Sequence, residues 1–106
     1  MSIKLNDTLN ALEATKDSWE KMTFGGLVHS LRTSDEITQV ELAKRIGVSK
    51  QFLCDVEHNR KEVGFSFAKK VSEALEYSIE PLIELLIREQ LRQQDLNYTV
   101  ELKKAS

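Results

Sequence analysis

Cysteine occurs once, at Cys54, so no internal disulfide can form, which agrees with a reducing compartment. Proline also occurs once and glycine only four times, which leaves room for long helices. No uninterrupted apolar run is long enough to cross a bilayer. The opening stretch MSIKLNDTLN lacks the charged-then-apolar pattern of a secretory signal, so a cytoplasmic location without a membrane partner is expected. Only two histidines are present; His29 has no second His or Cys at ligand spacing and His58 is too isolated to help, so no metal site is expected. There is no Gly-rich phosphate loop and no Ser/His/Asp set with supporting context. Neither an enzyme nor a cofactor is therefore expected. An excess of positive charge is missing too: the formal net charge is −2.

That balance speaks against a nucleic-acid partner at first sight, but distribution matters more than the sum. Residues 36–72 carry seven Lys or Arg against five Asp or Glu, a small positive surplus, and the rest of the chain carries eight against twelve. With 106 residues, 41% hydrophobic and 30% charged, the composition fits a single soluble domain with a tail at each end.

The organising stretch is TQVELAKRIGVSKQFLCDVEHNR, Thr38 to Arg60. Thr38 and Glu41 have the spacing of a capping box. Val40, Leu42, Ala43 and Ile46 are the apolar positions of a short helix. Gly47 can end it in the left-handed conformation, and Val48 can plug the corner. Ser49 caps a second helix, in which Phe52, Leu53 and Val56 are apolar. Cap, helix, glycine corner, cap, helix is the sequence form of a helix-turn-helix. Lys50 and Gln51 fall in the first outward turn after the second cap. Lysine can donate to guanine O6 and N7, and glutamine can read adenine N6 and N7. Asp55, one turn on, could accept from a cytosine amino group or simply repel phosphate. Asn59, Arg60 and Lys61 form a polar and basic loop suited to backbone contacts.

The segment resembles the Cro/cI-type, or XRE, family of phage-repressor-like proteins. Thr38-Gln39, Glu41-Leu42-Ala43, Ile46-Gly47-Val48-Ser49, Leu53 and Val56-Glu57 carry the likeness. The resemblance implies an all-α fold, a five-helix domain over about Phe24 to Glu89. It implies base reading by Lys50, Gln51, Cys54 and Asp55, and phosphate contact by Gln39. It also implies a pair between Arg32 and Glu57. Cys54 stands where the family usually has a polar reader, and Asn59 where it often has glycine.

The remaining chain divides around that domain. Residues 1–22 form an N-terminal helical extension, with Leu5, Leu9, Leu12, Trp19 and Met22 on one face. It is read as a helix lying on the domain surface, with a partner-binding arm as the alternative. Residues 23–94 are expected to form the DNA-binding domain that the resemblance implies. Phe24, Leu27, Val28 and Leu31 make the first core stripe, and His29 lies off it as a surface residue. Ser66 and Ser78 are candidate caps of the fourth and fifth helices. The fifth helix carries apolar residues over roughly 240° of its surface, more than one core needs. Leu85, or Ile87 and Leu91, should then bury against a second copy. In residues 95–106, Leu96, Tyr98, Val100 and Leu102 alternate with polar residues, a short β-strand signal. Such a strand needs an external edge, and pairing with its twin through Tyr98 and Val100 is expected.

The function expected is sequence-specific binding of double-stranded DNA at a pseudo-palindromic operator, as a homodimer acting as a transcriptional repressor. Ser49, with Gln39, Asn59, Arg60 and Lys61, would hold the DNA backbone. The alternative is the antitoxin of a toxin–antitoxin pair, with a small toxin protein as partner.

Overall fold

The Thr38 hydroxyl accepts the Glu41 N–H at 3.1 Å, and the Thr38 N–H donates to Glu41 Oε1 at 3.2 Å. This reciprocal cap satisfies two orphan donors and starts a helix. The computed structural model describes residues 16–105. Among them the elements are α1 (Lys16–Lys21), α2 (Phe24–Ser34), α3 (Gln39–Ile46), α4 (Lys50–Glu57), α5 (Phe65–Leu75) and α6 (Glu80–Gln93). Gly47 closes α3 at φ 76°, a left-handed conformation that is strained for residues with a Cβ, and the Val48 N–H returns to Ala43 O at 3.0 Å. Two residues later Ser49 Oγ accepts the Phe52 N–H at 3.0 Å and opens α4. The chain thus reverses within three residues, and α3 and α4 are held as a pair.

The core follows from the apolar stripes. Leu27, Val28 and Leu31 of α2, Leu42 of α3, Leu53 and Val56 of α4, Val71 of α5 and Leu82 of α6 are all sealed from solvent. Phe67 joins the stack, with its ring edge-on to Phe24 at 6.2 Å and tilted to Phe52 at 5.8 Å. Glu89 of α6 accepts the Phe24 N–H at 2.6 Å, capping α2 from a distant element. The short α1 is pinned to α6 in the same manner, at its opposite pole. Arg88 Nη2 donates to the carbonyls of Trp19 and Met22, and Arg92 Nη2 to that of Glu20. Trp19 and Met22 pack against the core. Leu5, Leu9 and Leu12 of the expected extension lie outside the described residues.

One glycine sets how close two helices come. A Cβ on Gly25 would lie 2.0 Å from the Val56 carbonyl and 2.7 Å from Asn59 Oδ1. The start of α2 therefore rests directly on the backbone at the end of α4, where no side chain fits.

Several expectations are corrected. Residues 96–105 form no strand, and no strand occurs among the described residues. Leu96, expected as the first strand position, instead closes α6, its N–H donating to Leu91 O at 2.9 Å. The residues beyond it meet no sheet edge that could pair their backbone. Val40 is 51% exposed, because it sits about 200° around α3 from Leu42. Leu85 is sealed in the core of its own protomer, since Leu82, Leu85 and Leu86 form the inward stripe of α6. It is not available to a second copy. Gly64, not Ser66, precedes α5, and Ile79, not Ser78, precedes α6.

Gly25→Ala should destabilise the protein by about 1–3 kcal/mol or more, because the new methyl meets rigid backbone. Urea denaturation checks this. An unchanged midpoint would mean that α2 and α4 are not in this register.

Candidate nucleic-acid interface

Glu57 ends α4 with its side chain only 1% exposed. A carboxylate so buried needs donors on every lone pair. Arg32 of α2 supplies two, Nε to Oε2 at 2.7 Å and Nη2 to Oε1 at 3.0 Å. His29, also of α2, lies with Nδ1 3.0 Å from Oε1. Gln39, the first residue of α3, donates Nε2 to Oε1 at 3.0 Å. Arg32 Nη1 donates to Ile37 O at 2.7 Å, which ties in the α2–α3 turn. Burial pushes the Glu57 carboxyl up, but the hydrogen bonds from Arg32, His29 and Gln39 outweigh it and hold the group below its usual range. One carboxylate thus joins three helices beneath the outward face of α4.

That outward face begins at the α4 N-terminus. Lys50 and Gln51 are exposed there, while Leu53 and Val56 anchor the opposite side. Gln51 Nε2 donates to Asp55 Oδ1 at 3.0 Å. Arg60 folds back onto the same oxygen, with Nε at 3.1 Å and Nη2 at 2.9 Å. The Arg60 hydrogen bond, with a smaller one from Gln51, holds the Asp55 carboxyl below its usual range. Cys54 is half-buried, with Sγ 3.8 Å from Arg60 Nη2 and 3.6 Å from His58 Nδ1. The His58 Nδ1–H donates to Cys54 O at 2.8 Å, which ends the helix. Lys61 places Nζ 5.0 Å from the centre of the Phe52 ring. Asn59 adopts φ 60°, a left-handed turn that asparagine tolerates better than most residues with a Cβ.

The structure therefore gathers Lys50, Gln51, Cys54, Asp55, Arg60 and Lys61 on and just after α4, with Ser49 as its cap. Gln39 is placed differently: its side chain is half-buried and committed in part to Glu57. His29 is more than the ordinary surface residue that its place off the apolar stripe suggests. Its ring is 54% exposed, yet it reaches the buried carboxylate. Its spacing of three from Arg32 on one helix is the signal that could have revealed this.

Cap, corner and outward polar turn define a helix-turn-helix unit, and comparison with known proteins agrees. The helix-turn-helix family model matches residues 28–82, more than half the chain, and the protein belongs to this family in its Cro/cI, or XRE, form. It is similar to the immunity repressor protein of Bacillus phage phi105, with 31% identity over 71 residues. That match covers 65% of this chain and 49% of the phage protein, so the chain spans about half the length of this relative. The fold is like that of a hypothetical transcription factor, NHTF, from Neisseria, with a TM-score of 0.53 at 24% identity, over 67% of this chain and 79% of the other.

Arg32→Ala should destabilise the protein by about 3–5 kcal/mol, because it strands the Glu57 charge in the core. The lowered Glu57 pKa gives a second expectation. Its contribution to stability is full above the ordinary value of 4.5 and is lost as pH falls through the lower folded value. Denaturation followed from pH 7 downward should show this acid-side loss in the native protein and less of it in Glu57→Gln.

Proposed function

We propose that this protein binds double-stranded DNA as a homodimer, with α4 in the major groove, and represses transcription from the site it occupies. The observation that carries the reading is the position of Lys50 and Gln51. They are exposed on the first turn of a helix whose other side is locked into the core. Their donors and acceptors suit base edges. Ser49, Arg60 and Lys61 flank them as backbone contacts, and Gln39 stands at the start of α3, where free N–H groups suit a phosphate. The similar proteins are named as a repressor and a transcription factor, which favours this reading over an antitoxin.

The homodimer is supported by α6. Ile83, Ile87 and Leu91 form a strip beside the inward stripe that stays half-exposed, and Tyr98, beyond it, is 70% exposed. With Val100 these residues would meet a second copy. The modest positive surplus of the reading face also calls for two units on one site. Residues 23–94 form the reading unit of this proposal.

Selection from random oligonucleotides tests it. The enriched site should contain two half-sites about one helical turn, roughly 34 Å, apart. Gln51→Ala should cost roughly 1–3 kcal/mol and relax one base position in each half-site, whereas Arg60→Ala should weaken all sequences alike and reduce the salt slope by about one. Absence of any enriched sequence would overturn the proposal.

A further inference from the structure

Asp55 poses a problem on the face assigned to DNA. A carboxylate there confronts phosphates, and alone it would oppose binding. In the structure it is not alone. Its Oδ1 collects N–H groups from Gln51 and Arg60, residues assigned above to base and backbone. Resting on that reading, we propose that Asp55 is a positioning residue: it fixes the amide of Gln51 in one orientation and so makes Gln51 selective for adenine.

Donors and acceptors decide the orientation. An ionised carboxylate only accepts, so the Gln51 nitrogen must face Asp55; the reverse orientation sets Oε1 against Oδ1. One of the two amide N–H groups is then committed. A single N–H and the carbonyl remain, and that pair matches adenine, whose N7 accepts and whose N6 amino group donates. Guanine presents two acceptors, O6 and N7, and asks for two donors. An amide held by Asp55 cannot supply both. Arg60 closes the arrangement, since its guanidinium offsets the Asp55 charge at 2.9 Å. A Gln–Asp pair one turn apart that served only the helix would influence stability and leave base preference alone.

The test compares the native protein with Asp55→Ala and with the isosteric Asp55→Asn, by selection and by binding to duplexes varied at the base pair that Gln51→Ala identifies. The native protein should prefer adenine over guanine there by roughly tenfold or more, as a good bidentate contact gives. In Asp55→Ala the preference should fall below about threefold, as a free amide can turn and offer both hydrogens. Overall affinity should rise several-fold, because a negative charge leaves the face that meets phosphates. Asp55→Asn, whose own amide can turn, should lose part of the preference, and it answers the same question should the alanine variant not fold. A native-like adenine preference in both variants overturns the positioning role and leaves the regulator reading standing. A native protein that selects no sequence overturns both.

Discussion

A carboxylate carried into a protein interior is tolerated only when donors surround it, and here that requirement ties the fold together. Glu57 draws Arg32 and His29 from α2 and Gln39 from α3 onto a single group at the end of α4. Apolar contacts are non-directional, whereas the hydrogen bonds to this one carboxylate fix the direction from which each helix meets it. The cluster sits under α4, so the same bonds that neutralise the charge also fix the angle at which Lys50 and Gln51 are presented. Stability and presentation are in this way two results of one interaction.

The outward face solves a related problem with fewer charges. The chain is net negative, and residues 36–72 have only a small positive surplus. The single acidic side chain in the middle of the α4 face is matched by Arg60, and Lys61 lies over Phe52. Most polar groups on this face already have a partner within the protein. A ligand there meets side chains whose directions are set, with Lys50 the long exposed cation at the helix start.

Much of this was legible in the sequence because it is local. A capping box, a glycine corner and a serine cap need only neighbouring residues, and all three form where their spacing places them. The stripe of Phe24, Leu27, Val28 and Leu31 is equally local, and it is buried. What local pattern does not reach is how elements meet. Leu85 and Leu91 look alike as letters, and only the docking of α6 decides that Leu85 faces inward. The alternation after Leu96 is a true period of two, yet a strand exists only if an edge receives it. The reach of His29 and Gln39 to Glu57 spans 28 and 18 residues, beyond any local pattern. Asn59 shows the opposite case: its left-handed backbone, which a glycine would adopt without strain, is set by its own local turn.

The bare contact between Gly25 and the Val56 carbonyl has a consequence for recognition itself. Two backbones that touch without intervening side chains leave no soft layer to absorb a change of tilt. In the DNA complex proposed above, the tilt of α4 would then be set in advance, and a duplex that widens or bends cheaply at the right step would be favoured over a stiffer one that offers the same base edges.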